Sequence, residues 1–158
     1  NVEVREQRDS PGSSIASRIS YGTGLGKAYI GAEYSNLLED VKRELMDSVR
    51  IARSAGIPDA NILLDPGIGF GKTIEQNLEL INRLDEIRLL GFPILLGPSR
   101  KSLIGTLTGK PVEERLPGSI AAVVAGAMAG ADIVRVHDVR PVVEALKVAD
   151  AIRMAGAR

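Results

Sequence analysis

Asp65, Lys101 and Arg135 stand 36 and 34 residues apart, each where a short apolar run stops. Together a carboxylate, an ammonium and a guanidinium can grip a flat heterocycle. The carboxylate oxygens accept from paired amino and ring N–H groups, the ammonium donates to a carbonyl or carboxylate, and the guanidinium stacks on a ring or meets an anion. Blander roles exist for each. Asp65 before Pro66-Gly67 suits an Asx turn, Ser99-Arg100-Lys101-Ser102 can be a solvated loop, and His137, the only histidine, can be a satisfied core residue. Arg135 and His137 alternate at the end of an apolar strand, which places them on one side of an extended segment and suits a diphosphate or ring-stacking site. Phe70 sits inside the glycine-rich run Gly67 to Gly71. It is either a core plug or, given those glycines, an exposed ring. The same run invites a phosphate-loop reading, but Pro66 occupies the position where a Walker A loop needs glycine before Gly71-Lys72-Thr73.

The elements that position these residues repeat a βα rhythm. The runs Ile62-Leu63-Leu64, Ile94-Leu95-Leu96 and Ile133-Val134 are unbroken apolar stretches, as expected of parallel strands covered by helices. Strands are predicted over Asn61–Leu64, Pro93–Leu96 and Ile133–Val136. Between them, a helix is predicted over 36–55, opened by Asn36 with Glu39. A second is opened by the capping box Thr73 and Gln76, with Leu78, Ile81, Leu84 and Ile87 inward, and stops at Gly91. The second strand is followed by a long turn that holds Ser99-Arg100-Lys101-Ser102 and a short helix, Ser119 caps a helix over Ile120–Ala129, and a last helix runs from about Pro141 to Met154. The Ile120–Ala129 segment is apolar nearly all round, so it needs burial on two sides, and a second subunit is one candidate partner. Parallel strands gather their carboxyl ends on one rim, where α/β folds bind ligands. Residues 1–33, rich in Gly, Ser and Pro, read as an irregular arm or loop, with Ala28-Tyr29-Ile30 as a short strand. Residues 34–158 form the regular α/β unit.

Lys plus Arg equals Asp plus Glu at 20 each, which argues against bulk electrostatic attraction to nucleic acid or an anionic membrane, so anion binding must be local. The chain has no cysteine, hence no disulfide framework and no thiolate metal site. The start is charged, lacks the apolar core of a signal peptide, and no 18-residue apolar span follows, so a cytoplasmic location is expected. A first residue of Asn rather than Met suggests a fragment or a processed product.

Four segments carry a family resemblance. Leu63-Leu64-Asp65-Pro66-Gly67-Ile68-Gly69-Phe70-Gly71-Lys72, Gly97-Pro98-Ser99-Arg100-Lys101-Ser102 with Ile104-Gly105, Glu114-Arg115-Leu116-Pro117-Gly118-Ser119, and Arg135-Val136-His137-Asp138-Val139, in that order, resemble the carboxyl-terminal half of the dihydropteroate synthase family over about residues 34 to 155. The resemblance implies a partial TIM (β/α)8 barrel, here about three parallel strands with flanking helices. It also implies a folate-biosynthesis transferase, the class of enzyme that sulfonamides target. In that reaction para-aminobenzoate displaces diphosphate from hydroxymethyl-dihydropterin diphosphate. By the same resemblance Asp65 holds the pterin nitrogens, Lys101 contacts the pterin and frames the aminobenzoate pocket, Arg135 stacks on the pterin, and His137 binds the diphosphate. Phe70 and Ser102 line the aminobenzoate site, and Gly97 lets the backbone approach the pterin. Lys101, Arg135 and His137 are the expected catalytic residues. Mg²⁺ is implied as a cofactor, but the strand that carries its ligand in the family has no match in residues 1–33, so no metal ligand is assigned here. Two alternatives remain: a noncatalytic fragment that binds pterin or needs a complementing half, and a corrinoid-linked methyltransferase domain, which the Ser-Arg-Lys-Ser and Arg-Val-His-Asp segments disfavour. An open half-barrel exposes strand edges, so a homo-oligomer, a dimer, is expected, with the Ile120–Ala129 helix near the contact.

Overall fold

The computed structural model describes residues 2–5, 18–22 and 36–156. In chain order the elements are strand β1 (Val2–Arg5), strand β2 (Arg18–Gly22), helix α1 (Leu37–Ser54), strand β3 (Ile62–Asp65), helices α2 (Ile74–Asn82) and α3 (Leu84–Arg88), strand β4 (Leu95–Leu96), helices α4 (Ser102–Thr108) and α5 (Leu116–Met128), strand β5 (Ile133–Val134) and helix α6 (Val139–Gly156). β2 pairs parallel with β3, and β4 pairs parallel with β5. A parallel bridge between Leu64 and Ile94, with the Leu64 N–H donating to the Pro93 carbonyl at 2.8 Å, joins the two pairs. All three strands predicted downstream of residue 34 are therefore present and run parallel.

β1 and β2 lie inside the segment read as irregular, and that reading is corrected here. Both strands alternate in sequence, Val-Glu-Val-Arg and Arg-Ile-Ser-Tyr-Gly, but two apolar residues apiece gave too short a period to stand out among glycines and serines. β1 runs antiparallel to β2, so it also departs from the all-parallel expectation. The proposed strand at Ala28-Tyr29-Ile30 lies outside the described residues.

Helix α1 forms as predicted. Asn36 accepts the Glu39 N–H at its start, Glu39 and Asp40 fill the first turn, and Leu37, Leu38, Val41, Leu45, Val49 and Ala52 are buried on one stripe. Each leucine or valine of the stripe removed from water stabilises the fold by roughly 1.5–3 kcal/mol. The stripe packs with Ile62 and Leu64 of β3, Ile94 and Leu96 at β4, and Leu80, Ile81, Leu84 and Ile87 in a single apolar core. The capping box at Thr73 is present in both directions, with Gln76 N–H to Thr73 Oγ1 at 3.2 Å and Thr73 N–H to Gln76 Oε1 at 2.9 Å.

Two helix expectations need revision. The segment after Thr73 breaks at Arg83 into α2 and α3, and Leu80, rather than Leu78, points inward. The helix expected to be capped by Ser119 begins four residues earlier, at Leu116 rather than Ile120, with Pro117 in its first turn where a missing N–H costs nothing. Ser119 is instead buried inside it.

Candidate functional site

The glycine loop after β3 is shaped by alternate residues. Gly67, Gly69 and Gly71 all adopt left-handed backbone (φ 74°, 79° and 62°), a conformation side chains disfavour, which accounts for their spacing. Asp65 Oδ1 accepts the Gly67 N–H at 2.9 Å, so the Asx turn is real. It commits one carboxylate oxygen to the loop's own backbone. Asn77, only 3% exposed, secures the far side of the loop. Its Oδ1 accepts the Gly69 N–H at 2.6 Å, and its Nδ2 donates to the carbonyls of Thr73 at 2.6 Å and Lys72 at 3.2 Å. Phe70, at 61% exposed, resolves the choice between plug and ring in favour of the exposed ring.

Lys101 reaches across from the β4 side to this loop. Its ammonium donates to the Ile68 carbonyl and lies 4.3 Å from the centroid of the Phe70 ring, a cation–π contact. Burial pushes its pKa down; Asp65 acts against that shift, while the positive charges of Arg135 and Lys72 add to it. Lys72 is likewise depressed by burial, opposed by Glu44 and Asp65, and its ammonium sits 3.3 Å from the Gly67 and Phe70 carbonyls. Asp65, Lys101 and Arg135 thus share one electrostatic neighbourhood, as their positions at neighbouring strand ends required. Ser102 follows directly as the exposed first residue of α4.

The β4 and β5 ends are tied by a constant offset of 38. Leu95 pairs with Ile133 and Leu96 with Val134 in the sheet. Before the strands, Asp132 Oδ2 accepts the Ile94 N–H at 3.0 Å. Beyond them, the Arg135 guanidinium lies over Gly97 so closely that a Cβ there would stand 3.2 Å from Nη2. Ser99 Oγ lies 3.0 Å from His137 Nδ1, and Arg100 forms a two-point pair with Asp138 at 2.7 and 3.0 Å. Side chains therefore extend the parallel register four residues past the last ladder bond. Arg100 adopts left-handed backbone (φ 57°), and its N–H donates to Ser119 Oγ at 2.9 Å while its carbonyl accepts from Arg115 Nη1 at 3.1 Å. Strain of this kind is held where surrounding bonds over-determine it.

The sequence reading named Asp65, Lys101, Arg135 and His137 but did not name Asn77, Ser99, Arg100, Ser119 and Asp138 as supports. The bonds by which they tie one segment to another span 8, 15, 19 or 38 residues, distances no local pattern reports.

A family model described as "Pterin binding enzyme" matches residues 26–137. The chain belongs to this pterin-binding enzyme family. A Clostridium beijerinckii relative named dihydropteroate synthase is 48% identical over 92% of this chain and 55% of its own length. Among solved structures, a Coxiella burnetii dihydropteroate synthase in complex with pteroic acid superposes with a TM-score of 0.82 at 37% identity, covering 87% of this chain and 53% of that one. A Xanthomonas albilineans dihydropteroate synthase with 4-aminobenzoic acid gives 0.81 at 38%, covering 87% and 50%. The chain therefore spans about half the length of these relatives, and its α/β architecture is a partial TIM barrel. The match also begins earlier than residue 34, which revises the expected extent of the resemblance.

Proposed function

We propose that this chain supplies the pterin- and aminobenzoate-binding half of a dihydropteroate synthase site. In that reaction the aminobenzoate amine attacks the pterin's exocyclic methylene carbon. A C–N bond forms, the C–O bond to diphosphate breaks with its electron pair leaving on oxygen, and the amine releases a proton. No protein nucleophile is needed. Asp65 would accept from the pterin amino and ring N–H groups, Lys101 would donate to its carbonyl, and Arg135 would stack on its plane over Gly97. His137 would donate to the departing diphosphate, and Phe70 and Ser102 would flank the aminobenzoate. Positioned donors facing a developing anion contribute several kcal/mol, roughly 2.7–4 per donor in measured cases.

The observation that supports this reading is that the Lys101 side chain crosses the loop Asp65 anchors, against Gly69 and the Ile68 carbonyl, while Arg135 lies over Gly97 at the end of the adjacent strand. Titration calorimetry with 6-hydroxymethylpterin should show saturable binding that Asp65→Asn weakens at least tenfold. Equal binding by that variant would overturn the assignment.

Among the described residues no group of three or more His, Asp or Glu could hold a metal ion, and none is assigned to the Mg²⁺ that the family implies. No step here is assigned to the ion.

The alternative is a chain without activity of its own. In it, this chain binds pterin but turns over only with a complementing half. Assaying the chain with both substrates and Mg²⁺, alone and with the amino-terminal half of a relative added, separates the two. We further propose a homo-oligomer. On α5, Pro117, Ala121, Ala125 and Met128 form an exposed stripe, and small residues there admit close approach by a second copy.

A further inference from the structure

Ser99 is 5% exposed and sits between two atoms of His137. The His137 backbone N–H donates to Ser99 Oγ at 3.3 Å, and the same oxygen lies 3.0 Å from His137 Nδ1. A main-chain N–H can only donate, so the hydroxyl accepts there. Its own proton then has Nδ1 as its partner among the described residues. Were Nδ1 protonated, the oxygen would accept twice and a buried hydroxyl proton would be left unpaired, at a typical penalty of about 1–3 kcal/mol. The neutral ring that satisfies both groups carries its proton on Nε2.

We propose that Ser99 is a positioning residue that holds His137 in the Nε2–H tautomer, so that an N–H donor is presented to the leaving group. The assignment rests on the reading of His137 as the diphosphate contact and says how that contact is prepared. The neighbouring Arg100–Asp138 pair reinforces it, because it fixes the segment that follows each member of the Ser99–His137 pair.

The test uses the chain labelled with ¹⁵N. His137 is the only histidine, so its two ring nitrogens are read without ambiguity. Above the imidazole titration range, long-range ¹H–¹⁵N spectra should show Nδ1 as the pyridine-like nitrogen and Nε2 as the protonated one. The reverse pattern overturns the proposal, and this arm needs no variant. In Ser99→Ala the Nδ1 resonance should shift and the Nδ1–H form should gain population; an unchanged pattern also overturns it. Inorganic diphosphate is then titrated into both proteins. It should move Nε2 in the wild type, with affinity roughly five- to tenfold weaker in the variant. Equal affinity with an altered tautomer overturns the positioning role. A wild-type ring in the Nε2–H form that ignores diphosphate supports the tautomer and sinks the diphosphate reading, so the two claims fail separately.

Discussion

The Lys101 ammonium is held between a carbonyl, an aromatic ring and two like charges, with one carboxylate to balance them. Its pKa is depressed on folding, so between that value and the ordinary 10.5 the unfolded chain binds more protons, and stability rises with pH through this window. At neutral pH the charged group is consequently a net burden to the fold. Lys101→Met should leave the Tm of a thermal melt unchanged or raised, while calorimetry shows pterin affinity falling about 10- to 100-fold, the value of a charge-assisted hydrogen bond. A lower Tm with unchanged affinity would contradict the role given to Lys101. Gly97→Ala tests the neighbouring contact. Its φ is not left-handed, and the added Cβ meets the movable Arg135 guanidinium at 3.2 Å, so stability should change by less than about 1 kcal/mol while pterin binding weakens. Placing these charges on one rim needed only the sequence, because apolar runs mark strand ends. The hydroxyl and amide supports were invisible there, since Ser99 looks the same whether or not it meets a residue 38 positions on, and Asn77 whether or not it meets a loop eight positions back.

Among the elements, α2 and α5 carry more than their periodicity disclosed. Asn77 lies on the buried side of α2, where an apolar residue would ordinarily be read, and it joins the helix to the glycine loop. Asn77→Leu would leave the Gly69 N–H without its side-chain acceptor and remove the amide donor from the Lys72 and Thr73 carbonyls, the second of which keeps the main-chain N–H of residue 77, so urea unfolding should show a loss of about 1–3 kcal/mol. On α5, Gly126 faces β4 so tightly that a Cβ would stand 2.0 Å from Leu96 Cδ2. Gly126→Val should cost about 1–3 kcal/mol by overpacking despite improving helix propensity. Helix α1 and the capping box at Thr73 were legible because caps and stripes are local. The start of α5 was misplaced because Ser119, a good cap by type, serves the neighbouring loop from inside the helix, and its hydroxyl donates to the Arg115 carbonyl at 2.8 Å.

For the whole molecule, the described strands form an open sheet rather than a closed wall. Exposed apolar residues continue onto α6 at Val148 and Ile152. Light scattering coupled to size exclusion should give twice the mass of one chain, and Ala125→Arg on the exposed side of α5 should shift it to one; a wild-type monomer at high concentration would refute the proposed pairing. The sequence conveyed the parallel βα order because each unit is local, but not the antiparallel β1, whose pairing depends on a partner beyond a glycine- and serine-rich stretch. The shared offset of 38 also determines where this protein can vary in length. Extra residues in the exposed Lys110–Glu114 connection would disturb only its local bonds, such as Lys110 to Glu114, and leave the pairs between the two rims matched. A single residue inserted after Leu96 would turn each following side chain to the opposite face, parting Ser99 from His137 and Arg100 from Asp138 in one event.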